Sequence, residues 1–137
     1  MIISLDVGDK RIGIAKEIFG MVFPVKTLFR KNLSFDMGAL KELFISLNVT
    51  EIVCGLPVNF DGTPSVQTQK TLNFIEELKK ITSVPIFTID ERCTTMQAKD
   101  ELIGADYSRQ ERKKVIDQVA AMYILEDYLR KKNNGGK

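Results

Sequence analysis

Histidine is absent from all 137 residues, and that absence removes more chemistry than any other feature of the composition. It excludes Ser-His-Asp and Cys-His nucleophilic machinery and any zinc site that needs an imidazole. Cysteine is scarce. Cys54 and Cys93 are the only two, they do not form a CxxC pair, and they read as reduced thiols in or near the core. No apolar run approaches the ~20 residues of a membrane span. No charged region followed by an apolar one precedes the strand-like run Ile2-Ile3-Ser4-Leu5, so a cytoplasmic protein with no membrane association is expected. An enzyme of this composition must work with carboxylates, hydroxyls, Lys, Arg, Tyr or thiols. Carboxylates around a hard cation are the obvious chemistry left.

What is present suits one ordinary globular domain: 44% hydrophobic and 28% charged residues over a length that buries a continuous core without staples. The net charge of +2 is unevenly spread. Residues 1–33 carry a balance of +3, residues 34–107 of −5 and residues 108–137 of +4. Two basic ends that met in space would suit a phosphate backbone.

Residues 2–7 read as a buried strand ending near Asp6, and Gly8-Asp9-Lys10 as a tight turn in which Gly supplies any positive φ. Residues 11–16 complete a hairpin. Residues 22–29 form a third strand, placed at a sheet edge by Pro24. Asn32 or Ser34 caps a helix over 35–47. The apolar run 51–56 reads as a central parallel strand. Turn chemistry over 57–63 leads to a helix near 64–81, opened by Thr63, with Leu72, Ile75 and Leu78 inward. A fifth strand covers 84–90. A helix capped by Thr94 or Thr95 runs to about 103, and a last helix covers about 108–131. The expectation is one α/β domain over 1–132, with a frayed tail at 133–137. Its sheet is five-stranded and mixed, led by an antiparallel hairpin and flanked by helices, which is the ribonuclease-H-like layout.

Three places carry acids in positions that need explaining. Asp6 ends an apolar strand, where a bare carboxylate is costly to bury and where ligands of α/β sheets gather. Asp90 and Glu91 end the fifth strand, on the same edge. They point to opposite faces, and periodicity does not choose between them. Asp117 lies on or beside the buried stripe of the last helix, three and four residues before Ala120 and Ala121. An ion pair with Lys113 or Lys114 is its plainer explanation. Converging carboxylates repel one another, and one or two Mg²⁺ or Mn²⁺ ions relieve that repulsion. Such a site hydrolyses phosphodiesters. Lys10, Arg11 and Arg92 stand close in sequence to these acids and suit phosphate oxygens. Gly55, Asn59, Asp61 and Gly62 follow the fourth strand between them.

These residues together resemble the YqgF/RuvX family of Holliday junction resolvases and pre-16S ribosomal RNA nucleases. Four stretches carry the match in order: Leu5-Asp6-Val7-Gly8-Asp9-Lys10-Arg11-Ile12-Gly13-Ile14-Ala15, Val53-Cys54-Gly55-Leu56-Pro57-Val58-Asn59-Phe60-Asp61-Gly62, Asp90-Glu91-Arg92-Cys93-Thr94-Thr95, and Asp117-Gln118-Val119-Ala120-Ala121 leading to Ile124-Leu125 and Tyr128-Leu129. The resemblance implies a ribonuclease-H-like fold with Asp6, Glu91 and Asp117 as catalytic and metal-binding trio, and so selects Glu91 over Asp90. Nucleic-acid contacts are expected at Lys10, Arg11, Asn59, Arg92, Thr94, Lys113 and Lys114. Gly-Leu-Pro ends the fourth strand where many such nucleases carry an acid, Cys93 replaces a usual aliphatic residue, and Glu17 stands near a usual Asp. The acid after the fifth strand takes the place of the one missing from the fourth, and the changes at Cys93 and Glu17 do not touch the trio.

The first reading is a metal-dependent endonuclease of structured nucleic acid that processes the 5′ end of precursor 16S rRNA and leaves 5′-phosphate and 3′-hydroxyl ends. Its partners would be precursor rRNA and a ribosomal subunit, with the chain a monomer or weak homodimer. An alternative is a Holliday junction resolvase, a symmetric dimer on four-way DNA. A second is a non-catalytic RNA-binding module of ribosome assembly. An ATP-binding protein of the actin or sugar-kinase type shares the opening Asp-x-Gly hairpin but needs two such domains.

Overall fold

The computed structural model describes residues 1–91 and 109–133, with residue 91 and residues 109–117 as backbone. The expected helix after Thr94 or Thr95 therefore lies outside the described residues, as do Arg92, Cys93 and Thr94. Strands β1 (Ile2–Val7), β2 (Arg11–Ile18) and β3 (Met21–Phe29) are followed by α1 (Leu33–Ser46), β4 (Glu51–Pro57), α2 (Val66–Ile81), β5 (Ile86–Glu91) and a long helix α3 (Arg109–Asn133). The sheet runs in the order β3-β2-β1-β4-β5. β1 is antiparallel to β2, and β2 to β3, whereas β4 is parallel to both β1 and β5. Four strands thus end on one edge, and only β2 starts there.

Each strand sorts its side chains between two layers. On one face Ile3, Leu5 and Val7 join Ile12, Ile14, Ile52 and Cys54 beneath α1 and α2, where Met37, Leu40, Phe44, Phe74, Ile75 and Leu78 cover them. On the other face α3 lies across the sheet. Ala121 and Leu125 pack on Ala15, and Ile124 packs on Val53 and Ile89. The buried Ser4 hydroxyl donates to the Ala121 carbonyl at 2.6 Å. At the opposite edge Tyr128 stacks on Phe87 and donates to Glu51, whose carboxylate also receives Lys132 at 3.1 Å. Burial and that bond both push the Tyr128 phenol up.

Pro24 stands on an edge strand as expected, beside a register shift between Ile14 and Ala15. Other expectations are corrected. Gly8 has no positive φ among the described residues. It is needed because a Cβ there would stand 2.9 Å from the Arg11 carbonyl that its own N–H bonds at 2.8 Å. α1 starts two residues early, capped by Asn32, whose side chain accepts from the Phe35 N–H. Ser65 caps α2 in a capping box with Thr68, so Thr63 does not open that helix. Leu72 is exposed, and Thr71 and Phe74 take the inward positions beside Ile75 and Leu78. β5 spans 86–91 where 84–90 was expected. α3 continues through Asn133, one residue into the expected tail.

Candidate active site

Asp6 stands next to last in β1. Alternation from Ser4, which bonds α3, puts it on the α3 face, where it is half-buried. Its direct partner on β2 is Gly13. On the other side, one step beyond the Leu5–Cys54 pair, is the buried Gly55 of β4. Glycines at both of these positions mean that β2 and β4 place no side chain in Asp6's own row.

The same alternation separates Asp90 from Glu91. Ile89 packs under Ile124, and Phe87 stacks on Tyr128, both from α3. Position 91 continues that row, while the exposed Asp90 belongs to the opposite face. Position 91 pairs with Pro57 at the end of β4, on the edge where Asp6 lies.

Two contacts fix the level of α3. Ser4 meets Ala121, and Gln118 Nε2 donates to Thr27 Oγ1 at 3.2 Å. Thr27 pairs with Gly13, and Gly13 with Asp6, so Gln118 stands over Asp6's own row. Residue 117 precedes Ala121 by one turn, about 6 Å along the helix. Asp6 lies two residues beyond Ser4, about 7 Å along the strand. The helix backbone at 117 is therefore level with Asp6. Among the described side chains no group of three metal-binding residues occurs; those of Glu91 and Asp117 are not among them.

The basic residues divide. Lys10 is exposed in the β1–β2 turn, and Arg11, half-buried, starts β2. Lys113 and Lys114 lie on the backbone-described part of α3, nearer its start than Asp117. Asn59 is turned inward on its own loop, with Nδ2 donating to Thr63 Oγ1 at 2.9 Å, so it shapes a turn. One residue that sequence reading missed is Arg30. Its Nε donates to the buried Asp36 at 2.9 Å and its Nη1 to the Gly8 carbonyl at 2.9 Å, while its guanidinium lies over Phe74. Arg30 N–H also donates to the Lys10 carbonyl at 2.9 Å. Arg30 thus clamps the turn that follows Asp6. Cys54 is buried in β4, and burial pushes its thiol up to about 12, so it supplies no thiolate nucleophile.

The chain is 45% identical over 130 residues to a Clostridium acetobutylicum protein named "Putative pre-16S rRNA nuclease", covering 93% of this chain and 96% of that one. A Thermoanaerobacter pseudethanolicus protein of the same name is 42% identical over 136 residues, covering 97% and 98%. Among solved structures, RuvC of T. thermophilus in complex with a Holliday junction substrate superimposes with a TM-score of 0.59 at 10% identity, covering 96% of each chain. The fowlpox virus resolvase in complex with Holliday junction DNA gives 0.54 at 11%, covering 93% of this chain and 97% of that one. These two likenesses establish the fold, which is the ribonuclease-H-like layout expected. The model of the RuvX family, described as Holliday junction resolvase, matches residues 1–131, and with relatives of such identity over nearly the whole length the chain belongs to that family.

Proposed function

We propose that the protein is a metal-dependent endonuclease that cuts precursor 16S rRNA at the sheet edge carrying Asp6. The observation that carries this reading is the row through Asp6. Its carboxylate is flanked by two glycines, faces α3 at the level of residue 117, and shares face and edge with position 91. Asp6, Glu91 and Asp117 are the catalytic and metal-binding residues in this reading, and their all-oxygen donor set fits Mg²⁺ or Mn²⁺. One or two such ions, when bound, supply the positive charge that polarises a phosphodiester and activates water.

The chain's own residues do the rest. The sheet and α3 hold three acids on separate elements. Lys10 and Arg11, with Arg92, Thr94, Lys113 and Lys114, steer and hold phosphate oxygens. Arg30 keeps the Gly8–Lys10 turn in place behind them. Ribosomal RNA is favoured over four-way DNA because the relatives carrying that name share 40–45% of their residues with this chain, whereas the junction-bound structures share 10–11% and support the fold. The ribosomal precursor particle is the natural setting of this reading, in the cytoplasm, with the chain a monomer or weak homodimer. No helix among the described residues is long and apolar enough to cross a membrane.

The test is cleavage by the purified chain with Mg²⁺ or Mn²⁺, with precursor 16S rRNA and a four-way DNA junction run in parallel. Asp6→Asn and chelator are the controls. Cutting of the RNA that both controls abolish is expected. Preferential cutting of the junction would transfer the assignment to resolution, and cutting that survives Asp6→Asn would overturn the site.

A further inference from the structure

A hairpin turn that faces water is ordinarily polar, but the tip joining β2 to β3 is not. From Ile18 to Val25 the chain reads IFGMVFPV, without a single charge. Ile18 pairs with Met21, so Phe19 and Gly20 form a two-residue loop, with φ 52 and φ 81. A loop with positive φ at both positions favours Asn-Gly, and Phe is strained in the first of them. The Glu17 carboxylate accepts from the Gly20 N–H at 2.8 Å and fixes the loop. Phe19 is thereby held with 99% of its area exposed. A strained backbone under a fully exposed ring stabilises nothing in the fold, and such an outlier points to function.

The ring does not stand alone. Ile18, Met21 and Phe23 lie on the sheet face that carries Ile3, Ile12 and Ile14, yet Met21 is 62% and Phe23 38% exposed. Lys16, the partner of Phe23, and Lys26, the partner of Ile14, share this face. Glu17 is on the other one, paired with Val22, which packs on the α3 side. The patch is thus apolar with a basic rim. Ile18 and Met21 offer a nucleic-acid base no ring to stack on, whereas Met and Phe are the side chains enriched where proteins meet. A second copy of this chain fits poorly. A two-fold axis would set Lys16 and Lys26 against the same lysines, and four apolar residues are few beside the about 20–30 per side of a stable interface. The position is also distinct from that of the acids. Gly13, the row partner of Asp6, lies six residues before Phe19, about 20 Å along β2, so the tip is at the opposite end of the sheet.

We propose that this tip docks the chain on a protein of the ribosomal precursor particle, with Phe19 entering an apolar pocket whose rim carries carboxylates that face Lys16 and Lys26. This rests on the nuclease reading above, which sets the RNA substrate in that particle. A loop fixed before binding presents the ring without further ordering. A contact about 20 Å from Asp6 leaves the cutting edge open and raises the effective concentration of the enzyme beside its RNA.

The experiment measures binding of the full chain in the Asp6→Asn background with Mg²⁺, so that no strand is cut. The probes are the purified small-subunit precursor particle and the protein-free precursor 16S rRNA extracted from it. The parent should bind the particle more tightly than the bare RNA. Phe19→Asn, which relieves the strain and so keeps the fold, should weaken particle binding about 5- to 30-fold and leave bare-RNA binding within about two-fold. Met21→Ser should act in the same direction. Lys26→Glu should weaken particle binding by a larger factor than bare-RNA binding. With Asp6 intact, Phe19→Asn should raise KM on the particle and leave kcat/KM on the bare RNA unchanged. Equal losses on both probes would mark a contact with RNA and overturn the proposal. So would no loss on either, a parent that binds both probes equally, or a loss that accompanies a change from dimer to monomer in sedimentation velocity, which would mark a second copy. The two readings fail separately. Asp6-dependent cutting with Phe19→Asn binding the particle like the parent removes the docking role alone. Phe19-dependent particle binding in a chain that cuts nothing removes the nuclease alone.

Discussion

Replacing Arg30 with Ala should cost more stability than replacing its buried partner Asp36. Asp36 is 1% exposed in the first turn of α1, and the Arg30 side chain is 22% exposed. Asp36 accepts from Arg30 Nε at 2.9 Å and from the Lys31 N–H at 3.0 Å. Removing the guanidinium leaves a buried carboxylate with one neutral donor, a change of the kind that costs about 3–5 kcal/mol. Asp36→Ala is not its mirror image. Arg30 would keep its bond to the Gly8 carbonyl, its place over Phe74 and some access to water, so the loss should be nearer 1.5–3 kcal/mol, roughly that of a charged hydrogen bond. At about 2.1 cal/mol/K per residue, the 137-residue chain has an unfolding entropy near 0.29 kcal/mol/K. The Tm should then fall by about 10–17 °C for Arg30→Ala and about 5–10 °C for Asp36→Ala. The double variant should melt above Arg30→Ala, because it no longer strands a charge. Urea unfolding and calorimetry measure all three. Equal costs for the two single variants, or a double variant less stable than Arg30→Ala, would refute the reasoning.

Three further perturbations have defined outcomes. The Thr71 hydroxyl is buried without a hydrogen-bond partner among the described residues, so Thr71→Val should raise stability by about 1 kcal/mol in urea unfolding. Phe19 adopts φ 52 at the hairpin tip and is 99% exposed. Phe19→Asn, which tolerates that conformation ahead of Gly20, should also gain about 1 kcal/mol and raise the Tm by about 3–4 °C. The Cys54 thiol is held protonated up to about 12 in the fold, against an ordinary value of 9.0. Its contribution is fully present below pH 9 and is lost as pH rises toward 12, because the unfolded chain gives up that proton first. Stability should therefore decline above pH 9 with a slope approaching 1.4 kcal/mol per pH unit from this group, and Cys54→Ala should remove that part of the slope.

Local signals carried the element order. Pro24 marks an edge, the apolar run at 51–56 a central strand, and Asn32 or Ser34 a helix start, each through neighbours in the chain. What failed depends on partners far away. Ile75 and Leu78 face inward as expected in α2, but Leu72, the more apolar residue, lies outside while Thr71 beside it is buried with Thr68 and Phe74. The Arg30–Asp36 clamp joins a strand end to a helix start, and no periodicity marks such a pair. For the candidate site, the acids were visible singly. From the sequence, only the family resemblance selects Glu91 over Asp90; periodicity does not, because the side of β5 that α3 covers is marked by Ile89 and Phe87 only in the fold. The Gly13–Asp6–Gly55 row likewise depends on register.

The order of elements along the chain also bears on synthesis. β1 to β5 are complete at residue 91, but among the described residues the face formed by Ala15, Val53 and Ile89 is covered by Ala121, Ile124 and Leu125 of α3. At about 5–20 residues per second, that apolar face stays open for roughly 2–8 s while the intervening chain is made. A growing chain held on the ribosome during that interval presents sticky β-sheet to its surroundings. Protection of that face from aggregation should therefore arrive late, with the docking of the last helix.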